Sequence, residues 1–284
     1  MSRPVLTLLY APADRPDRAA KALAGDADVV VLDLEDAVAP VAKSAARAGL
    51  AALVAAHPGR PVQVRLNAAG TSWADADRAA VAALPLHVEV RVPKVERVEE
   101  VAALVGALPG RRLHLLLESA LGVERAFDLA SADPAVASVG LGEADLRSAL
   151  GIREEAGLTW ARGRLVVAAR AAGLPAPVMS VHPHVRDEAG LRASCRAGRA
   201  LGLRGRAAIH PAQLAPIREE FLPAPDEVAR AREVLRRVGD AREAGAGVLV
   251  LEDGTFLDVA MVAGARDVLA LVGDPGAEGP VDPA

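Results

Sequence analysis

Glu118 and Asp145 are acids of the kind that chelate a hard cation, and each follows an apolar run. Leu113–Leu117 leads into Glu118, and Val136–Leu141 leads through Gly142-Glu143-Ala144 into Asp145. Both runs read as buried parallel strands, and carboxylates just beyond the carboxyl ends of such strands point into one mouth. Two acids with few other fixed ligands suit Mg²⁺, which keeps waters and takes the rest of its shell from substrate.

Other polar residues recur at strand ends. Asp14 and Arg15 follow a first run, and Asp33, Glu35 and Asp36 follow Val29–Leu32. Arg65 and Asn67 end the run from Val62, Lys94 follows Val90-Arg91-Val92, and His182, His184 and His210 come later. Arg65 and Lys94 interrupt stretches that otherwise look buried, where an unpaired charge is costly.

The elements that must position these residues alternate regularly. Strand-like runs fall at Val5–Leu9, Val29–Leu32, Val62–Leu66, Val88–Val92, Leu113–Leu117, Val136–Leu141, Val178–Val181 and Arg206–Ile209. Ala/Leu/Arg/Glu-rich helical stretches separate them. Strands apolar nearly throughout argue a parallel sheet covered on both faces. The repeat of that unit predicts a closed (β/α)8 TIM barrel, a fold that typically takes about 250 residues. We expect a catalytic barrel domain over residues 1–240. Ala246–Leu251 reads as a strand and Leu257–Leu271 as a helix, joined through an Asp-Gly turn signal. These make residues 241–272 a C-terminal strand–helix arm or lid able to pack on a neighbouring subunit. The Pro/Gly/acid-rich segment 273–284 reads as a disordered tail.

Composition excludes several classes. The 284 residues carry a net charge of −4 and only 2% aromatics, which argues against nucleic-acid binding. The single cysteine, Cys195, rules out an internal disulfide and a cysteine zinc cage. No apolar run is long enough to span a bilayer, and no signal-peptide pattern opens the chain, so a cytoplasmic protein is expected.

Each site residue has a plainer alternative. Glu118 can cap the helix near Gly122, and Asp145 can favour a helix dipole from the first turn. Asp36 can simply precede the helix after Pro40. His182 and His184 alternate as metal ligands might, but lack a nearby third. His210-Pro211 reads as a helix start.

The ordered series YAPADRP (Tyr10–Pro16), VVVLDLEDAVAP (Val29–Pro40), VQVRLNAAGTSW (Val62–Trp73), VRVPKVE (Val90–Glu96), LLLESALGV (Leu115–Val123), GLGEADLRSALG (Gly140–Gly151), RDEAGL (Arg186–Leu191) and GRAAIHPAQL (Gly205–Leu214) resembles the citrate lyase β subunit within the HpcH/HpaI aldolase and malyl-CoA lyase superfamily. The resemblance covers most of residues 5–270. It implies a TIM barrel, often trimeric, that binds Mg²⁺ through Glu118 and Asp145. It implies that Arg15 and Arg65 bind the substrate carboxylate and that the Asp33/Glu35/Asp36 loop supports the site. It also implies that Asp258, from the arm of an adjacent subunit, completes it; the plainer alternative for Asp258 is an N-cap.

The activity implied is cleavage of a 3-hydroxyacyl thioester (citryl-, malyl- or citramalyl-CoA type) to an acyl thioester and a 2-oxo acid such as oxaloacetate, glyoxylate or pyruvate. Glu118 would then also contact substrate through the ion. Asp258, Glu35 and Asp36 are the candidate proton-transfer groups. The chain departs from the family at Leu141 (often Phe), Arg206 (often Lys) and His182-Pro183 (often Tyr-Pro), the last bearing on substrate choice. Three other readings stay open: a malyl-CoA thioesterase, a Schiff-base aldolase using Lys94, and a citrate lyase subunit inactive outside its assembly.

Overall fold

The computed structural model describes residues 4–243, 249–250, 256–257 and 259–277. Two compact units emerge, one over Val5–Phe221 and one from Leu222 onward.

In the first unit the apolar runs become β1 (Thr7–Pro12), β2 (Val29–Asp33), β3 (Val62–Arg65), β4 (Val88–Val92), β5 (Leu113–Leu117), β6 (Val136–Leu141) and β7 (Arg206–Ala208). They form one seven-stranded sheet in the order β6-β5-β4-β3-β2-β1-β7. Every neighbouring pair is parallel. β2 and β5 are buried along their whole length, as a sheet covered on both faces requires.

The helices are α1 (Pro16–Leu23), α2 (Lys43–Ala55), α3 (Ala74–Ala82), α4 (Val98–Ala107), α5 (Ala120–Glu124), α6 (Ala126–Ala130), α7 (Glu143–Leu150), α8 (Thr159–Ala171), α9 (Glu188–Ala200) and α10 (Leu214–Phe221). The helical stretch after β5 is split at Arg125 into α5 and α6.

One expected strand is absent as such. Val178–Val181 forms only an isolated parallel bridge, Met179 to Arg206. Met179 N donates to Gly205 O at 3.0 Å, and Ala207 N donates to Met179 O at 2.9 Å. Pro175, Pro177 and Pro183 remove ladder donors from this stretch. Among the described residues no ladder joins it to β6. Instead Glu143 N donates to Ser180 Oγ at 3.4 Å. The closed eight-stranded barrel is therefore observed as an open run of seven parallel strands, with an eighth segment bridged to β7.

Strand alternation sets the face that matters. On β3–β6 that face carries polar side chains linked across strands. Arg91 Nε donates to Gln63 Oε1 at 2.9 Å. His114 bonds Glu89 at 2.7 Å and Ser138 at 2.8 Å. On β1, β2 and β7 the same face is an apolar cluster of Leu8, Val29, Val31 and Ala207.

The second unit holds α11 (Pro225–Glu243), a two-stranded antiparallel pair of β8 (Leu249–Val250) with β9 (Phe256–Leu257), and α12 (Val259–Leu271). Ala231 and Val234 of α11 pack on Ala265 and Leu269 of α12. Pro275–Ala277 forms a 3-10 turn, beside which Asp274 accepts from Arg232 Nε at 2.8 Å. The Asp-Gly turn, Asp258 and residues 278–284 lie outside the described residues.

Candidate active site

β5 delivers Glu118 to the carboxyl edge of the sheet, where it is 6% exposed. It is not a helix cap: Ser119 caps α5, accepting from Gly122 N at 3.1 Å. The Glu118 carboxyl is thereby left to face the cavity. Asp145 does stand in the first turn of α7, so its dipole role is real. Its side chain, 49% exposed, nevertheless reaches the same cavity. Gly142 makes room between them. A Cβ there would lie 2.5 Å from Glu118 Cγ and 2.7 Å from Oε1.

The two acids are hydrogen-bonded to each other. Burial, the hydrogen bond to Asp145 and the charges of Glu35 and Asp145 push the Glu118 carboxyl up to about 8. The same hydrogen bond, with Lys94, holds Asp145 below its ordinary value. Lys94 Nζ lies 3.2 Å from Asp145 Oδ2 and 3.2 Å from Glu35 Oε1. Lys94 adopts a left-handed backbone with φ 55°. Burial works against its ammonium, but Glu35 and Asp145 raise it well above the usual lysine value. An amine held so firmly protonated is a poor Schiff-base nucleophile.

Asp33 and Arg65 are Cα partners on adjacent strands. Their side chains form a fork, Nε to Oδ1 at 2.7 Å and Nη2 to Oδ2 at 2.6 Å. Asp33 also shapes the loop beyond it, accepting from Glu35 N at 2.9 Å and Ala37 N at 3.1 Å. Lys43 Nζ braces that loop through Leu34 O at 2.8 Å and Glu35 O at 2.9 Å. Arg65 Nη1 reaches toward Glu35 Oε2 at 2.9 Å and Asp36 Oδ2 at 3.4 Å. The Glu35 contact is an ion pair out of hydrogen-bond alignment, so Oε2 is a buried oxygen with no hydrogen-bond partner. Burial raises the Glu35 carboxyl despite Arg65. The Tyr10 ring lies 5.0 Å from the Arg65 guanidinium carbon.

Arg65, Asp36, Glu118 and Asp145 line one cavity of about 370 Å³, together with Arg91 and the apolar Leu8, Val178 and Ala207. Arg15 is not among the lining residues. Its side chain is 48% exposed and pairs with Asp17 at 3.4 Å. His182 and His184 stack edge to face with ring centres 5.8 Å apart, and His182 Nε2 sits 3.6 Å from Asp187. His210 accepts from Ala212 N at 3.2 Å, opening a 3-10 turn at Pro211. Cys195 is buried, and burial raises its thiol. Among the described residues no cluster of three or more His, Cys, Asp or Glu side chains is poised for a metal, and no helix is long and apolar enough to cross a membrane.

The sequence pattern passed over Arg91, Tyr10 and Gly142. Arg91 and Tyr10 stand at alternating positions in apolar strands, a period-2 signal that a polar-facing sheet would have justified.

A parallel α/β sheet with an acid pair, a lysine and a carboxylate-bound arginine at its carboxyl edge defines the class. The chain belongs to the HpcH/HpaI aldolase/citrate lyase family, whose model matches residues 6–211, and it is an enzyme of that family. It is 34% identical over 274 residues to a (3S)-malyl-CoA thioesterase of Cereibacter sphaeroides, covering 95% of each chain. To an L-malyl-CoA/beta-methylmalyl-CoA lyase of the same species it is 31% identical over 302 residues, covering 94% of each. Among solved structures it resembles CitE of Mycobacterium tuberculosis in complex with magnesium, acetoacetate and coenzyme A. That match has a TM-score of 0.80 and 33% identity, and covers 95% of this chain and 98% of that one.

Proposed function

We propose that this chain is a Mg²⁺-dependent carbon–carbon lyase on a closed (β/α)8 barrel, cleaving a 3-hydroxyacyl-CoA thioester to an acyl thioester and a 2-oxo acid. The observation that supports the reading is the meeting of Glu118, Asp145 and Arg65 at one cavity. Glu118 and Asp145 would hold the ion. The donor set fits: two carboxylates that meet at one cavity, with a buried Glu35 oxygen nearby that has no hydrogen-bond partner. When bound, Mg²⁺ supplies Lewis acidity to the hydroxyl and carboxylate oxygens of the substrate.

The remaining work falls to the protein. Asp33 fixes Arg65 by its fork, so the Nη1 edge, which also faces Glu35 and Asp36, is oriented to take the substrate carboxylate. Arg15 would close over the same group from the loop after β1. Glu35, whose proton affinity burial has raised, accepts the hydroxyl proton, directly or through water, with Asp36 beside it. Asp258, from the arm of a second copy, would exchange the proton at the thioester α-carbon. The cytoplasmic homotrimer belongs to the same proposal.

The identity to a malyl-CoA thioesterase favours a second reading, in which the same site directs water at the thioester. Incubation of purified protein with Mg²⁺ and malyl-CoA separates the two. Acetyl-CoA plus glyoxylate supports the lyase; malate plus free CoA supports the thioesterase; neither product from malyl-, citryl- or citramalyl-CoA overturns both.

A further inference from the structure

We propose that Arg91 binds a second carboxylate of the substrate, so that the preferred 2-oxo acid is dicarboxylic, as oxaloacetate is, and not pyruvate or glyoxylate. The inference rests on the lyase reading above and names its substrate class.

Arg91 stands in the body of β4, 7% exposed, and lines the cavity. Its Cα partners are Arg65 on one side and His114 on the other, so it lies one strand from the carboxylate-binding arginine and on the same face. Its Nε donates to the neutral Gln63 Oε1 at 2.9 Å, which fixes the plane of the guanidinium. Among the described residues no carboxylate pairs with it. The acid nearest in register, Glu89, is engaged elsewhere, by His114 at 2.7 Å and Arg112 at 3.4 Å. The contrast with Arg65, which has three acids within reach, is direct.

Gly140 of β6 stands beside the Nη edge. A Cβ there would lie 4.0 Å from Arg91 Nη1, so the guanidinium reaches past β5 toward β6. The opposite wall, Leu8, Val178 and Ala207, offers no counter-charge. The acids that line this cavity, Asp36, Glu118 and Asp145 among them, do not pair with Arg91, and a buried guanidinium without a carboxylate of its own is costly to keep and favours an incoming anion. Its planar fork matches a carboxylate. With Arg65 holding the carboxylate next to the keto group, the second acid of a dicarboxylate has a partner and the methyl of pyruvate does not.

Calorimetric titration with Mg²⁺ and freshly prepared oxaloacetate or pyruvate tests this. Wild-type protein should bind oxaloacetate at least about tenfold more tightly. Arg91→Met should lose roughly ten- to hundredfold in oxaloacetate affinity, the range expected for a hydrogen-bonded charge pair, and hold pyruvate within about twofold. Should Arg91→Met lose pyruvate binding through misfolding, Arg91→Gln, which keeps a donor for Gln63, carries the same expectation. A wild-type protein without preference, or a variant that retains it, overturns the assignment of Arg91. Wild-type protein that binds neither acid overturns the assignment of Arg91, and overturns the lyase reading as well only if no 2-oxo acid is released from malyl-, citryl- or citramalyl-CoA.

Discussion

Lys94 Nζ and Asp145 Oδ2 stand 3.2 Å apart, with the same ammonium 3.2 Å from Glu35. One cation thus ties the α7 acid to the acidic loop after β2, and the charge of each partner keeps the amine protonated. Borohydride added to protein with a 2-oxo acid should therefore trap no adduct on Lys94. Intact-mass spectrometry checks this, and a reduced imine at Lys94 would restore the Schiff-base reading.

Glu118→Ala and Asp145→Ala should each abolish Mg²⁺-dependent turnover while leaving the fold intact. A ligand that binds only the native state raises the melting temperature. Millimolar Mg²⁺ should do so for wild-type protein and for neither variant. Wild-type turnover in either one would refute the pair as metal ligands.

Gly142 has φ −92°, a backbone any residue adopts, so Gly142→Ala acts only through its methyl group. That methyl would collide with Glu118 Cγ at 2.5 Å. Turnover should fall by at least about tenfold, with stability lowered by about 1–3 kcal/mol as for other overpacked sites. Initial rates and urea denaturation measure the two separately. Unchanged rates would mean that the Glu118 position does not matter.

Asp33→Ala removes both oxygens of the Arg65 fork and two backbone caps in the acidic loop. Breaking a buried pair from one side costs about 3–5 kcal/mol. Equilibrium unfolding should show a loss of that order, and residual enzyme should show a raised KM for the thioester. A KM unchanged in folded variant would remove Arg65 from carboxylate binding.

His114 is buried, and burial holds its pKa below 6.5 despite the bond to Glu89. The folded protein keeps the ring neutral while the unfolded chain takes up a proton near pH 6.5, so stability present above that pH is lost as pH falls below it. Denaturant midpoints at pH 7.5 and pH 5.5 should differ in wild-type protein and less so in His114→Gln. An equal drop in both would place the acid sensitivity elsewhere.

The strands from β1 to β6 were legible because each is a short apolar run between helices, and Glu118 was legible because it ends one of them. Val178–Val181 looked equally apolar, yet its flanking prolines cost it the ladder, and composition alone does not weigh missing donors. Arg15 and Arg65 looked alike as strand-end arginines. What separates them is Asp33 across the sheet, a register contact that no local pattern encodes. Arg91 reads as an interruption of a hydrophobic run, and only the neighbouring strands reveal that it faces a cavity beside Gln63. Asp258 falls outside the described residues and stays an expectation from resemblance.

The left-handed turn at Lys94 also limits what mutation can explore there. Such a conformation costs a side-chain-bearing residue about 1–2 kcal/mol, and glycine and asparagine escape most of that penalty. A randomised library selected for folding alone should drift toward those two uncharged residues, and one selected for turnover should return to lysine. Sequencing survivors from both would expose a position where robustness and reactivity pull in opposite directions.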